Sequence, residues 1–224
     1  MIAQRASILR NCVIVAIAFQ GSLAAFAQEA LIHINAATVR HRMSPLLTGA
    51  CIEDVNLVNN AGVSVVKPLH EHTPAEWDWV MNTNVKAVYW AASRVIPIML
   101  RQRQGVILNT GSISGLVGIA GQGAYAASKG AIHQMTRQMA VEYAASGIRV
   151  NAIALGTVDT PILHRAARES PNPDTFIDNL RSQHPIGRIA TADEAARFIT
   201  FLASDSATFF TGAILSLDGG YTAR

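Results

Sequence analysis

From residue 51 onward, short apolar runs alternate with long amphipathic segments, and this alternation is the strongest constraint on the fold. Each apolar run is closed by Gly, Asn or Asp, as expected for a buried strand followed by a turn. The runs lie at 55–62, 105–112, 148–156 and 212–220. Because strands separated by helices form parallel sheets covered on both faces, we predict an α/β fold. The expected architecture is a doubly wound, mostly parallel, Rossmann-like sheet in a single domain spanning 1–224.

Capping boxes mark where two of the helices are predicted to begin. Thr73 and Thr191 are each followed three residues later by glutamate, so that side chain and backbone can satisfy each other's hydrogen bonds at a helix start. The first box predicts a helix over 74–103, and the second predicts one that opens the segment EAARFITFLAS. A further helix is predicted over 125–145. Doubly wound folds place their ligands at the carboxyl ends of the strands, where the candidate site residues also lie.

The basic charge of the chain is concentrated in its first 50 residues. They contain four arginines against Glu29 alone, whereas the whole chain has a formal net charge of +3 and the remainder is balanced. The pI near 9.1 therefore does not indicate a nucleic-acid partner. The chain has two cysteines, Cys12 and Cys51, with no CxxC or His/Cys cluster, so no metal site is predicted.

The N-terminal segment has two competing interpretations. Arginines, an apolar run and the sequence Ala25-Phe26-Ala27 together have the form of a secretory signal, which would be removed as residues 1–27 of an exported protein. The favoured alternative is a first strand (CVIVAIA), a helix (LAAFAQEA) and a second strand (LIHINA) in a cytoplasmic protein. The apolar run is too short and too interrupted for a membrane span. The mass of the mature N-terminus distinguishes the two interpretations.

Three side chains in and before the helix over 125–145 form a candidate proton-transfer site. Tyr125 and Lys129 are four residues apart and so share one helical face. Ser112 precedes the tyrosine by thirteen residues, across a run of glycines that suggests a flexible connection. Serine, tyrosine and lysine together can donate, transfer and stabilise a proton. The alternative is that Ser112 is only a turn or helix-cap serine.

Several motifs in register closely resemble those of the classical short-chain dehydrogenases/reductases. The resemblance covers roughly residues 52–224 and follows the order and the Ser-to-Tyr spacing of the family. The matching elements are NNAG at 59–62, Asn84 within MNTNVKAV, Ser112, YAASK at 125–129 and DGG at 218–220.

The resemblance implies a catalytic role for four residues. Tyr125 would be the general acid/base, and Lys129 would lower its pKa and bind the nicotinamide ribose hydroxyls. Ser112 would hold the substrate oxygen. Asn84 would bind a water that continues the proton path, although a buried asparagine on an apolar stripe can instead satisfy backbone groups.

The resemblance also implies NAD or NADP as cofactor and a small-molecule alcohol or ketone as substrate. The implied cofactor-binding residues are Asn59, Ala61, Gly62, Tyr125, Lys129, Gly156, Val158 and Thr160. The family's glycine-rich first turn, which brings the pyrophosphate onto a helix N-terminus, is not matched, because only Gly21 is present there. Weak dinucleotide binding is therefore predicted, and the alternative is a degenerate member that acts as an oligomeric partner.

Two further features concern the substrate and the assembly. The long connection over 156–190 is predicted to be a lid over a partly apolar pocket. The helices over 74–103 and 125–145 carry apolar residues on more than one face, which predicts a homo-oligomer, a tetramer or a dimer. The apolar residues expected at these contacts are Tyr89, Trp90, Ile132, Met135 and Met139.

Overall fold

A computed structural model of the protein describes residues 56–59 and 62–224. The predictions made for residues 1–50 and for Ala61 lie outside these ranges. In order, the strands and helices are β1 (Asn56–Asn59), α1 (Pro74–Gln102), β2 (Gly105–Thr110), α2 (Gly123–Tyr143), β3 (Ile148–Leu155), β4 (Val158–Asp159), α3 (Pro161–Glu169), α4 (Pro173–Ser182), β5 (Ala190–Thr191), α5 (Ala192–Ala203) and β6 (Ile214–Leu217). Strands and helices alternate as far as β3, and two short strands and two short helices follow before α5.

The main sheet has the order β1-β2-β3-β6, and every neighbouring pair is parallel. In register, Ile107 of β2 lies opposite Val150 of β3, and Ile153 lies opposite Leu215 of β6. Because all four strands run the same way, their carboxyl ends meet at one edge of the sheet. The predicted α/β fold with a parallel sheet is confirmed.

Both predicted capping boxes are present. Thr73 Oγ1 accepts a hydrogen bond from the backbone N–H of Glu76 at 3.3 Å, and the glutamate carboxylate accepts from the Thr73 N–H at 2.8 Å. The hydrogen bond from Lys67 to the Glu76 carboxylate, together with the Thr73 backbone N–H, lowers the pKa of Glu76 to about 2. Thr191 and Glu194 form the second box at the start of α5. Both boxes satisfy backbone groups that a helix start leaves unpaired.

The hydrophobic core lies on both faces of the sheet. On one face, Ile107 and Val150 pack against α1 and α2. On the other face, Val106, Leu108 and Ile153 pack against Leu202 of α5. The alternation of Val106, Ile107 and Leu108 between the two faces follows from the period of two along a strand. No helix within residues 62–224 is long and apolar enough to span a membrane.

Two residues expected at subunit contacts belong instead to this core. Ile132 and Met139 of α2 are 1% and 7% exposed and pack within the cluster that joins α1, α2 and the sheet. The sequence pattern could not separate these positions from exposed ones, because α2 uses a wide apolar face against both α1 and the sheet. Tyr89 and Trp90 of α1 are each 54% exposed, in keeping with the expectation.

The long connection between β3 and α5 folds as two short helices, α3 and α4. Its two ends are joined by a parallel pair between β4 and β5, in which Val158 lies opposite Ala190 and Asp159 lies opposite Thr191. We call residues 156–190 the lid segment. The short β4–β5 pair closes its base, so the lid segment leaves and re-enters the body of the protein at one place.

Candidate active site

The predicted site residues Gly62, Ser112 and Gly156 follow the carboxyl ends of three neighbouring strands of the sheet. The chain leaves β1 toward Gly62, leaves β2 toward Ser112 and leaves β3 toward Gly156. Helix α2 carries Tyr125 and Lys129 on its first two turns. This convergence is the ligand-binding position of doubly wound folds.

Lys129 is a buried cation beside Tyr125. Its side-chain Nζ lies 5.5 Å from the centre of the Tyr125 ring, and the residue is 3% exposed. Nζ donates a hydrogen bond to the carbonyl oxygen of Thr110, the last residue of β2, at 2.8 Å. Burial disfavours the charged form and lowers the pKa of Lys129 to about 8.

The phenol of Tyr125 has its pKa raised above the usual value by burial, and a hydrogen bond with the Ser112 side chain opposes this increase. The contact brings together two residues that are thirteen positions apart in the sequence. The expectation that Lys129 lowers the pKa of Tyr125 below the usual value is wrong for the protein alone. Desolvation of the phenol outweighs the stabilisation that its neighbours provide.

Ser112 is held in a network that also makes it a cap. Its Oγ accepts from the backbone N–H of Ser114 at 3.2 Å, at the start of a short 3₁₀ turn. The Ser112 and Ser114 hydroxyls are also 3.2 Å apart, and Ser114 donates to the side-chain oxygen of Gln122 at 2.5 Å. The structural interpretation of Ser112 as a cap is therefore correct, and it leaves the hydroxyl in contact with Tyr125. Sequence reasoning missed Ser114 and Gln122.

His133 packs against the backbone of the turn that contains Ser112. It follows Lys129 by one helical turn and is 2% exposed. Its ring occupies the space where side chains at Gly111 and Gly115 would stand, and a Cβ at Gly115 would lie 2.7 Å from Cε1 of the ring. The expectation of a flexible connection is therefore wrong at Gly115, which is glycine because the imidazole packs against its backbone. The spacing Tyr125, Lys129, His133 is the signal that could have identified this residue.

Asn84 of α1 bonds to backbone groups and to α2. Its side-chain oxygen accepts from the Val63 N–H at 2.8 Å, and its amide donates to the Val63 carbonyl and to Ser128 Oγ, both at 2.9 Å. Ser128 Oγ in turn donates to the carbonyl of Tyr125 at 2.7 Å. These bonds match the expectation that a buried asparagine satisfies backbone groups. They also fix the chain after β1 against the helix that carries Tyr125.

The chain after β1 passes close to the buried lysine. A Cβ at Gly62 would lie 3.6 Å from Lys129 Nζ and 3.9 Å from the Asn84 side-chain oxygen. Gly62 itself is exposed. Asn59 is the last residue of β1, where it lies opposite Asn109 of β2. Gly62, the last residue of the NNAG motif, therefore lies beside Lys129.

Gly156, Val158 and Thr160 line the start of the lid segment. A Cβ at Gly156 would lie 2.8 Å from His184 Nε2 and 2.9 Å from the Cα of Asp218, so close packing within the protein requires glycine here. Val158 is half-buried in β4. Thr160 caps α3, accepting a hydrogen bond from the Leu163 N–H at 3.4 Å.

Both the sequence and the fold of this chain match known proteins. Residues 54–222 match a family model described as enoyl-(acyl carrier protein) reductase. The chain is 42% identical over 168 residues to 2-(S)-hydroxypropyl-CoM dehydrogenase 3 of Xanthobacter autotrophicus, covering 75% of this chain and 66% of that protein. It is 40% identical over 168 residues to inactive 2-(S)-hydroxypropyl-CoM dehydrogenase 2 of the same organism, covering 75% and 73%. A solved structure, ElxO with NADP bound, superposes with a TM-score of 0.70 at 34% identity, covering 76% of this chain and 68% of that one.

The chain therefore belongs to the short-chain dehydrogenase/reductase family. Members of this family use NAD or NADP as cofactor. The matched region spans just under two thirds of the length of 2-(S)-hydroxypropyl-CoM dehydrogenase 3.

Proposed function

We propose that this protein is a cytoplasmic NAD(P)-dependent oxidoreductase that interconverts a secondary alcohol and a ketone, with Tyr125 as general acid/base. The observation that carries the proposal is the convergence of Ser112, Tyr125 and Lys129 at the carboxyl edge of the sheet. We further propose that residues 1–224 form a single domain, in which the lid segment covers the substrate.

The geometry suggests how the protein handles the proton. The raised pKa of Tyr125 keeps the phenol protonated near neutral pH, so it is ready to donate to a carbonyl oxygen. The Ser112 hydroxyl lies against the phenol and would donate to the same oxygen, holding it in place. Proton transfer by a positioned group of this kind contributes a factor of about 10² to 10⁴ in rate. In the oxidising direction Tyr125 would accept the proton, and the nearby Lys129 charge would favour the phenolate.

The described residues fit the nicotinamide end of a dinucleotide. The Lys129 ammonium has three N–H donors, and within the described part of the chain one of them bonds to the Thr110 carbonyl. The remaining donors suit the vicinal hydroxyls of a ribose, and the exposed Gly62 lies beside them, where a Cβ would be 3.6 Å from Lys129 Nζ. When bound, the nicotinamide supplies or takes up the hydride. Asn59, Ala61, Gly156, Val158 and Thr160 remain proposed contacts to the same cofactor.

Asn84 is proposed to contribute to the proton path through a water. Its side-chain amide is already committed to Val63 and Ser128. Its second contribution is mechanical, because the same bonds hold the chain after β1 beside Lys129. In this proposal Asn84 supports the site and does not contact the substrate.

The lid segment suggests a partly apolar substrate pocket. Leu163 of α3 is half-buried, as are Val117 and Ile119 in the loop before α2. The proposed substrate is a small molecule whose secondary alcohol or ketone reaches Ser112 and Tyr125 while an apolar part contacts these side chains.

The second candidate function is a degenerate family member that binds dinucleotides poorly and acts as an oligomeric partner. The first 50 residues favour it, because Gly21 stands alone where several glycines would let the pyrophosphate approach a helix N-terminus. A relative with 40% identity carries the description inactive, so loss of activity occurs among similar proteins. The intact Ser112, Tyr125 and Lys129 favour the enzyme.

Dinucleotide titration separates the two candidates. We expect NADH and NADPH to bind much more weakly than to ordinary relatives, because the sequence over 16–20 lacks the glycines that would let the pyrophosphate approach a helix N-terminus. The measurement is nicotinamide fluorescence as either nucleotide is added. Replacing residues 1–50 with the glycine-rich strand–turn–helix of a relative should restore affinity and turnover. Binding by the unmodified chain at low micromolar concentrations would show that its N-terminal segment is not defective.

Oligomer formation is expected through α1. Tyr89 and Trp90 are each 54% exposed, and their ring centres are 5.2 Å apart, so they form an adjoining aromatic surface. Covering this surface with a second copy removes apolar area from water. Light scattering at micromolar concentration should report a tetramer or a dimer, and Trp90→Glu should shift the mass toward the monomer. The matched control is Trp79→Glu on the same helix. A monomer mass for the unmodified protein would contradict this prediction.

A further inference from the structure

His184 lies where the lid segment returns to the body of the protein. It follows α4 by two residues and is 3% exposed. Its ring contacts three segments of the chain: the end of α4, the Gly156–Thr157 backbone after β3 and the turn after β6. The Tyr221 ring meets it edge-on, with ring centres 5.5 Å apart. Sequence reasoning assigned this histidine no role.

Two hydrogen bonds determine the protonation state of His184. Nδ1 lies 2.8 Å from the Leu180 carbonyl oxygen, which can only accept, so Nδ1 carries a hydrogen. Nε2 lies 3.1 Å from the Thr157 backbone nitrogen, whose N–H can only donate, so Nε2 carries a lone pair. The ring is therefore neutral. Adding a proton at Nε2 would set two N–H groups against each other and break the bond to Thr157.

Both backbone polar groups of Thr157 bond to residues at the C-terminal end of the lid segment. Its N–H donates to His184, and its carbonyl accepts from the Ala190 N–H at 3.0 Å. The preceding Gly156 N–H donates to the Leu217 carbonyl of β6 at 3.0 Å, and a Cβ at Gly156 would overlap the imidazole. The position of this backbone therefore depends on a neutral histidine in this place.

We propose that His184 is a positioning residue: its neutral imidazole fixes the Gly156–Thr157 backbone, and its protonation releases that backbone and weakens dinucleotide binding. The proposal rests on the proposed function, in which Gly156 and Val158 contact the cofactor. The hydrogen bond from Thr157 to His184 would then link the position of the Gly156–Thr157 backbone to dinucleotide binding.

Charged groups lie near His184 in the turn after β6, at the end of the chain and on α4. The Asp218 carboxylate, in the turn after β6, accepts hydrogen bonds from Gly220 and Thr222. The Arg224 guanidinium lies over the Tyr221 ring, 5.2 Å from the ring centre. On α4, Arg181 is paired with Asp178.

The test uses His184→Gln and His184→Leu in the full chain. Glutamine can place an acceptor oxygen near Nε2 but does not titrate, whereas leucine removes the acceptor. His164→Gln is the matched control, because His164 is an exposed histidine of the same lid segment that pairs with Asp159. Hydrogen exchange of the peptide covering 155–160 is measured without cofactor at about pH 5.5 and 7.5, each variant against the unmodified protein at the same pH.

At the higher pH we expect the glutamine variant to match the unmodified protein and the leucine variant to exchange about tenfold faster at Thr157. At the lower pH the unmodified protein should exchange faster than the glutamine variant, and the His164→Gln control should behave like the unmodified protein. Equal protection in the leucine variant, or a pH response that persists in the glutamine variant, would overturn the proposal.

NADPH titration at the same two pH values tests the positioning role. Acidification should weaken binding to the unmodified protein about tenfold more than binding to His184→Gln. Equal pH dependence in both, with exchange as expected, would refute the link to the cofactor. If the chain binds no dinucleotide at either pH, the proposed function fails, and the exchange experiment still decides whether His184 holds the backbone.

Discussion

Replacing Tyr125 with phenylalanine is expected to abolish turnover while leaving the fold intact. The change removes one hydroxyl, which contacts Ser112 and faces the carboxyl edge of the sheet. We expect a loss of at least about 100-fold in kcat, the lower range for removal of a general acid. Stability should change little, because the ring and its packing remain. Single-turnover kinetics on an active substrate and urea unfolding measure the two effects.

Tyr143→Phe is the matched control for this prediction. Tyr143 ends the same helix and packs at the margin of the core, away from Ser112. Its loss should leave turnover within about twofold of the unmodified protein, as is usual for a change remote from the site. Retention of more than a few per cent of the rate by Tyr125→Phe would show that another group supplies the proton.

Replacing Lys129 with methionine is expected to abolish turnover and to remove a pH-dependent part of the protein's stability. Burial lowers the pKa of Lys129 from 10.5 to about 8 in the folded state. Between these values the unfolded chain binds a proton that the folded chain does not, so the free energy of unfolding rises with pH. Below about pH 8 both states are protonated, and the folded state bears the full cost of the buried charge.

The size of this effect follows from the difference in pKa. At about 1.4 kcal/mol per pKa unit, the unmodified protein should gain about 3 kcal/mol between about pH 8 and 10.5, whereas Lys129→Met should lack this gain. Urea unfolding of both proteins at several pH values in this window measures it. Lys86→Met, at an exposed lysine of α1, is the control and should follow the unmodified protein. A stability difference between Lys129→Met and the unmodified protein that does not vary with pH would contradict a buried, destabilised ammonium.

The catalytic potential of Lys129 and its cost to stability have the same origin. A cation enclosed by protein interacts strongly with whatever charge develops beside it, because little water screens the interaction. The same enclosure disfavours the charge when the site is empty. The Lys129 ammonium therefore opposes folding near neutral pH, but it lies where it can favour the phenolate of Tyr125. Such a compromise between stability and function is common at active sites.

Local signals in the sequence determined the main strands, two helix starts and the shared helical face of Tyr125 and Lys129. Apolar runs closed by turn residues predicted β1, β2, β3 and β6 because strands of a parallel sheet covered by helices need no alternation of apolar and polar residues. Thr73 and Thr191 predicted helix starts because a capping box is satisfied within four residues. The i, i+4 spacing placed Tyr125 and Lys129 on one face, since helix geometry alone decides that.

Only the tertiary structure decided how the site is supported and how its groups titrate. The contact of His133 with Gly111 and Gly115, and the bond from Thr157 to His184, join residues that are far apart in the sequence. The pKa values of Tyr125 and Lys129 depend on burial, which many distant segments produce together. Such effects leave no local sequence pattern. Desolvation and packing depend on which distant residues the fold brings into contact, and not on residues adjacent in the sequence.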